Sequence, residues 1–259
     1  RSNVFGEKIA KEREKTIIHK ISIMNEEINY ESQGSVPGYV NDQFSMDENN
    51  GYFRIATTIN TGSFGFGGIV RPMMTDVVST VQTSAASAGS AAEGVTASEK
   101  AVMIAPIPPV PSQPATTNNL YVLDSSMNVV GKLEDLAPGE RIYSARFIGD
   151  RAYMVTFRQV DPLFVIDLSN PSSPSVLGFL KVTGVSDYLH PVDENHIIGI
   201  GHEATDEGML QGLKMSLFDV SDVSNPKEIS KIVIGDRGTS SEVLNDHKAF
   251  LFDKEKRLL

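Results

Sequence analysis

The stretch "DPLFVIDLSNPSSPSVLGFLKV", residues 161–182, runs four apolar residues into Asp167, then a Ser-Asn-Pro-Ser-Ser-Pro turn, then a second apolar run. The same grammar returns at residues 214–234 as "KMSLFDVSDVSNPKEISKIVI", closing on Asp219. Short β-branched or aromatic runs bounded by Asn, Pro and Ser read as strand, turn, strand. A hairpin written twice announces a repeat, and a repeat governs every later reading of the chain.

Taking the aspartate as an anchor extends the pattern. Asp124 closes the run in "NLYVLDSSMNVVGKL", and the three anchors stand 43 and 52 residues apart. About 26 residues after each anchor comes a second element: "ARFIGDRAYMVTF" around Asp150, "YLHPVDENHIIGI" around Asp193, "VLNDHKAFLF" around Asp246. An earlier copy is "DQFSMDENNGYFRIATT", preceded by the strand-like "TIIHKISI" and "EINYESQG". One unit is thus four short strands in roughly 45 residues, the period and content of a propeller blade. The expected fold is all-β, a β-propeller of four-stranded antiparallel blades. About four blades are present, and the abrupt stop after "DHKAFLFDKEKRLL" implies an incomplete part of a larger propeller. Each recurring hairpin is the outer strand pair of its blade. Asp167 and Asp219 are expected to cap turns rather than bind metal.

Residues 1–15 read as a lead-in and 16–259 as the blades, interrupted at 60–118. There the chain becomes "TGSFGFGGIV", then "STVQTSAASAGSAAEGVTASEKA", then "APIPPVPSQPATTNN". Such composition offers little apolar surface to offset the entropy of ordering. It is expected to be a disordered, protease-sensitive insertion between a strand ending near Thr58 and one starting near Leu120.

Composition narrows the function classes. A formal charge of −10 and the absence of clustered Lys and Arg argue against nucleic acid. Zero cysteines exclude disulfides, thiol catalysis and Cys-ligated metal. No run of eighteen apolar residues predicts a membrane span, and the opening "RSNVFGEKIAKEREK" has no signal-peptide pattern, as in a mature or trimmed segment.

"PGERIYSARFIGDRAYMVTFRQVDPLFVIDLSNPSSPSVLG", "SDYLHPVDENHIIGIGHE", "LKMSLFDVSDVSNPKEI" and "VLNDHKAFLFD" resemble a family of secreted or surface β-propeller-domain proteins of archaea and bacteria, distantly WD-repeat-like. "SVPGYVNDQFSMDENNGYFRIATT" resembles the upstream part of that family, and "VIDLSNPSSP" and "LFDVSDVSNP" are similar to LVIVD-type hairpins. The resemblance covers nearly all the chain except 60–118 and the first dozen residues. It implies an extracellular or cell-surface propeller, and it carries no catalytic residue across.

Aligning the units brings "NDQF", "YSAR", "SDYL" and "SSEV" to equivalent innermost positions. The strand alternation of the repeat then gathers Asp42, Gln43, Arg146, Asp187 and Glu242 at a channel mouth, with Ser144, Ser186 and Ser241 beside them. Three acids around one arginine suit a cation, a sugar or a basic peptide tip; the alternative is a hydrated channel whose polar groups satisfy one another. The loop "GHEATDEGMLQG" offers Glu203, Asp206 and Glu207 as oxygen ligands for Ca²⁺, without the spacing of an EF-hand. No other cofactor is expected. The five histidines are scattered, and no nucleophile elbow or phosphate loop appears. The expected function is non-catalytic binding or assembly with a surface protein or polysaccharide, or with a second copy of the chain. The alternative is a hydrolase or lyase acting on polysaccharide or peptide at the channel mouth.

Overall fold

The computed structural model describes residues 14–60, 116–157, 161–205, 207–256 and 258–259. A hairpin of β1 (Lys15–Met24) and β2 (Glu27–Pro37) comes first. Three four-stranded antiparallel sheets follow. The first holds β3 (Met46–Asn49), β4 (Tyr52–Asn60), β5 (Thr116–Leu123) and β6 (Val129–Leu136). The second holds β7 (Arg141–Ile148), β8 (Arg151–Phe157), β9 (Asp161–Asp167) and β10 (Ser175–Val182). The third holds β11 (Val185–Pro191), β12 (His196–Ala204), β13 (Leu210–Asp219) and β14 (Lys227–Ile234). In every sheet the strands lie in chain order, so the repeated hairpin is the outer pair, as its recurrence implied.

Strand alternation explains why the sheets stack. Successive side chains leave opposite faces. On β8, Ala152 and Met154 pack with Ala56, Leu120 and Val122 of the first sheet. Their neighbours Tyr153 and Val155 pack the other way, with Ile197 and Phe218 of the third sheet. On β5, Tyr121 and Leu123 turn instead toward Val36 and Ile18 of the β1–β2 hairpin. The first and second sheets therefore each bury one face against the unit before and one against the unit after.

The anchoring aspartates do what turn chemistry predicts. Asp124 Oδ1 accepts from the Ser126 and Asn128 amides, Asp167 Oδ1 from Ser169, and Asp219 Oδ1 from Ser221, all at 2.9 Å. Close approach fixes the glycines opposite them. A Cβ on Gly34 of β2 would collide with the Met127 carbonyl, one on Gly131 of β6 with that of Pro171, and one on Gly178 of β10 with that of Val223. In each case the outer strand of one unit lies against the outer turn of the next. This register identifies β2 as an outer strand, so the hairpin is the outer half of a blade.

Two expectations need correction. The segment around "VLNDHKAFLF" forms 3-10 turns at Glu242–Leu244 and His247–Ala249 rather than a strand pair. The Asn245 and Asp246 amides close back on the Glu242 carbonyl, and Asp246 caps the second turn through Lys248. The strands flanking the insertion also run further than expected, to Asn60 and from Thr116, which pair with each other. The polar "TTNN" reads as loop, yet Asn118 is satisfied inside, while Thr117 Oγ1 and Asn119 Nδ2 are buried without a hydrogen bond. Asn118 is fully buried, accepts from Thr58 Oγ1 at 2.8 Å and donates to the carbonyls of Leu136 and Glu140. Of the insertion expected at 60–118, residues 61–115 lie outside the described residues.

Candidate functional site

β7 and β11 lie side by side with the turn before β3 against β7, and among them opens a cleft of about 500 Å³. Four pieces of chain wall it: Asn41–Phe44 before β3, Arg141–Tyr143 on β7, Asp187 and Tyr188 on β11, and the turns from Val243 to His247. The volume suits a small ligand or the tip of a chain.

Bulges aim the side chains. β7 shifts register between Ile142 and Ser144, and β11 between Ser186 and Tyr188. The extra residues are Tyr143 and Asp187, and both line the cleft. A bulge re-aims one residue without ending the strand. Asp187 is the pressured group. Burial pushes its carboxyl above the ordinary aspartate value, against the opposing pull of His202 and Arg141. Its Oδ2 is buried without a hydrogen bond, and the ion-pair contact to His202 Nδ1 is loose at 3.5 Å. Across from it, the Arg141 guanidinium lies 4.6 Å over the Tyr143 ring and donates to the Tyr143 hydroxyl at 2.9 Å.

Asp42 is committed to structure. Its Oδ1 accepts from the Phe44 and Ser45 amides at 2.8 and 3.0 Å, capping a 3-10 turn at Gln43–Ser45. Asn41 donates to the Tyr143 carbonyl at 2.8 Å and ties this turn to β7. Gln43 Nε2 sits 3.1 and 3.2 Å from the two ring nitrogens of His247, joining the first and last walls. Behind the wall, Arg146 is an internal cation. It stacks 4.0 Å from the Phe44 ring centre, donates to the Leu189 carbonyl at 2.9 Å and to the Tyr188 hydroxyl at 3.2 Å. Burial lowers its pKa from the ordinary arginine value. Burial and this same cation lower His190, whose Nδ1 lies 3.1 Å from the Tyr188 hydroxyl.

Residues 3–259 match the family described as Beta propeller domain. The chain belongs to that family. An uncharacterised protein of Methanocaldococcus jannaschii is 39% identical over 247 residues, covering 95% of this chain and 30% of its own. Another, from Archaeoglobus fulgidus, is 38% identical over 251 residues, covering 97% and 30%. The propeller segment thus spans about a third of the length of these relatives.

The propeller brings together Asp42, Gln43 and Asp187 at the cleft, and leaves Arg146 behind it and Glu242 out of its wall. The expectation that Asp42, Arg146, Asp187 and Glu242 share innermost strands holds for Arg146 on β7 and Asp187 on β11. Asp42 is instead the cap of a 3-10 turn, and Glu242 is an exposed residue opening another. The alignment of "YSAR" with "SDYL" is also one residue out. Arg146 pairs with Tyr153 as His190 pairs with Ile198, and the two bulged residues correspond, so Tyr143 is the counterpart of Asp187. A one-residue slip exchanges faces. Asn41, Arg141, Tyr143, Asn245 and His247 were missed, and only the placement of the bulge singles out Tyr143. In the acidic loop, Glu203 pairs with Lys231 at 2.7 Å, Glu207 is exposed, and Asp206 lies outside the described residues. Among the described residues no three His, Asp or Glu side chains form a metal cluster.

Proposed function

We propose that this propeller segment is a non-catalytic binding module, taking a polar polymer (a polysaccharide or a peptide segment) at the cell surface. One observation carries the reading. The cleft wall alternates hydrogen-bonding amides, an aromatic ring and single charges drawn from four separate pieces of chain, Asn41, Tyr143, Asp187 and Asn245 among them. That mixture of donors and acceptors recognises hydroxyl and amide groups. Among the described residues the wall holds no serine, threonine, cysteine or lysine. Of its two carboxyls, Asp42 is occupied as a cap, which supports binding over a two-carboxylate hydrolase. The test is calorimetry of the wild type, Tyr143→Ala and Asp187→Asn against oligosaccharide and peptide panels, with protease shaving of intact cells for the location. Binding lost in both variants supports the reading; turnover of any bound oligomer by the wild type overturns it.

A further inference from the structure

Charge at the cleft does not balance locally. Two carboxyls, Asp42 and Asp187, and one guanidinium, Arg141, line it. Each carboxyl already faces a counter-charge: Asp42 acts on Arg146 behind the wall, and Asp187 has His202 Nδ1 at 3.5 Å. Arg141 has no such partner. Among the described residues no carboxylate lies within ion-pair distance of it, and its pull on Asp187 is weaker than that of His202. The side chain is exposed and yet held, with the guanidinium 4.6 Å from the Tyr143 ring centre and one N–H given to the Tyr143 hydroxyl at 2.9 Å. A guanidinium carries five N–H donors in a fixed fork, so a planar donor set remains for a planar acceptor.

The rest of the wall narrows the kind of polymer. A sugar ring binds in large part by laying a C–H face on an open aromatic ring, and the rings here are engaged. Arg141 covers Tyr143, Arg146 lies 4.0 Å from the Phe44 ring centre, Phe44 meets His247 edge-on at 4.8 Å, and Tyr188 carries Phe250 at 5.5 Å. What stays open is amide chemistry. Among the described residues no hydrogen bond takes up the Asn245 side chain, and Asn41, whose Nδ2 is given to the Tyr143 carbonyl, keeps Oδ1 as an acceptor. Side-chain amides match the C=O and N–H of a peptide group together.

We propose that the cleft takes a peptide segment by its carboxylate, which Arg141 receives through two parallel N–H bonds while Asn41, Asp187 and Asn245 hold the peptide groups behind it. This rests on the cleft being the binding site proposed above and names its ligand class.

Ultrafiltration with mass-spectrometric readout tests it, using four probes: mixed tetrapeptides free of Asp and Glu with a free C-terminus, the same mixture amidated, an amidated mixture carrying one Asp or Glu, and neutral and uronate oligosaccharides. Wild type should retain a carboxylate-bearing mixture roughly tenfold above the amidated, carboxylate-free one, the worth of one charge-assisted contact. Which carboxylate mixture is held tells a chain terminus from an acidic side chain. Arg141→Gln, with folding checked by circular dichroism, should abolish that ratio and leave retention of the amidated mixture unchanged. A ratio that survives in Arg141→Gln overturns the role of Arg141. Equal retention of the acid and amidated mixtures by wild type, or retention of oligosaccharides alone, overturns the peptide carboxylate and leaves the binding module standing. Retention of none of the four overturns both.

Discussion

The second and third sheets are written in the same repeat but live in different surroundings. In the second, β8 sends Met154 into one core and Tyr153 into another, and both are fully buried. In the third, β13 buries Phe218 on one side, while β14 leaves Ile232 and Ile234 open on the other. A blade is stabilised as much by its neighbours as by its own ladder, so residues on a covered face and on an open one should carry unequal weight.

The largest expected difference is in side-chain truncation. Tyr153→Ala should cost about 3–5 kcal/mol in urea unfolding, the range for a large buried ring. Ile232→Ala should cost under about 0.5 kcal/mol as a monomer, since little packs on it. Equal losses at the two positions would end the comparison.

The next contrast concerns the junction residue. Gly178→Ala forces a Cβ into the Val223 carbonyl and should cost roughly 1–3 kcal/mol as the blades part. Ser230→Ala, at the same register position on the open blade, should stay within about 0.5 kcal/mol. A neutral Gly178→Ala would show that the outer turn yields.

Between the sheets, Arg146→Lys should cost about 1–2 kcal/mol, because an ammonium keeps the charge but loses the planar stacking on Phe44 and the forked donation to Leu189 and Tyr188. Thermal unfolding of that variant beside Arg146→Ala would show whether lysine rescues any of the loss.

The smallest effect is a pH dependence at Asp187. Burial, opposed by His202 and Arg141, raises its pKa on folding, so the folded protein holds the proton more tightly than the unfolded chain. Its stabilising contribution is complete below the ordinary aspartate value and is lost as pH rises through the folded one. Asp187→Asn should flatten that decline and give the higher melting temperature near neutral pH. Scans between about pH 3 and pH 7 would check it; a variant that melts lower throughout would mean the carboxylate is favourably held.

Much of the fold was legible because blade chemistry is local. The Asp-Ser and Ser-Asn-Pro turns, the alternating runs of "AYMVTF" and "LFVID", and the spacing of the anchors follow from residues close in sequence. Local hydrogen bonding and strand periodicity therefore determined the sheets, their order and the aspartate caps. The site was legible only in part. Asp42, Gln43 and Asp187 reach the cleft, but a bulge inserts one residue without marking the sequence, so Arg146 was placed a step away from its true counterpart His190. Whether Asn118 could be buried depended on a hydroxyl and carbonyls from other parts of the chain. Tertiary structure decided those points because a backbone or polar side chain takes the conformation in which its hydrogen bonds are met, and those partners lie far away along the chain.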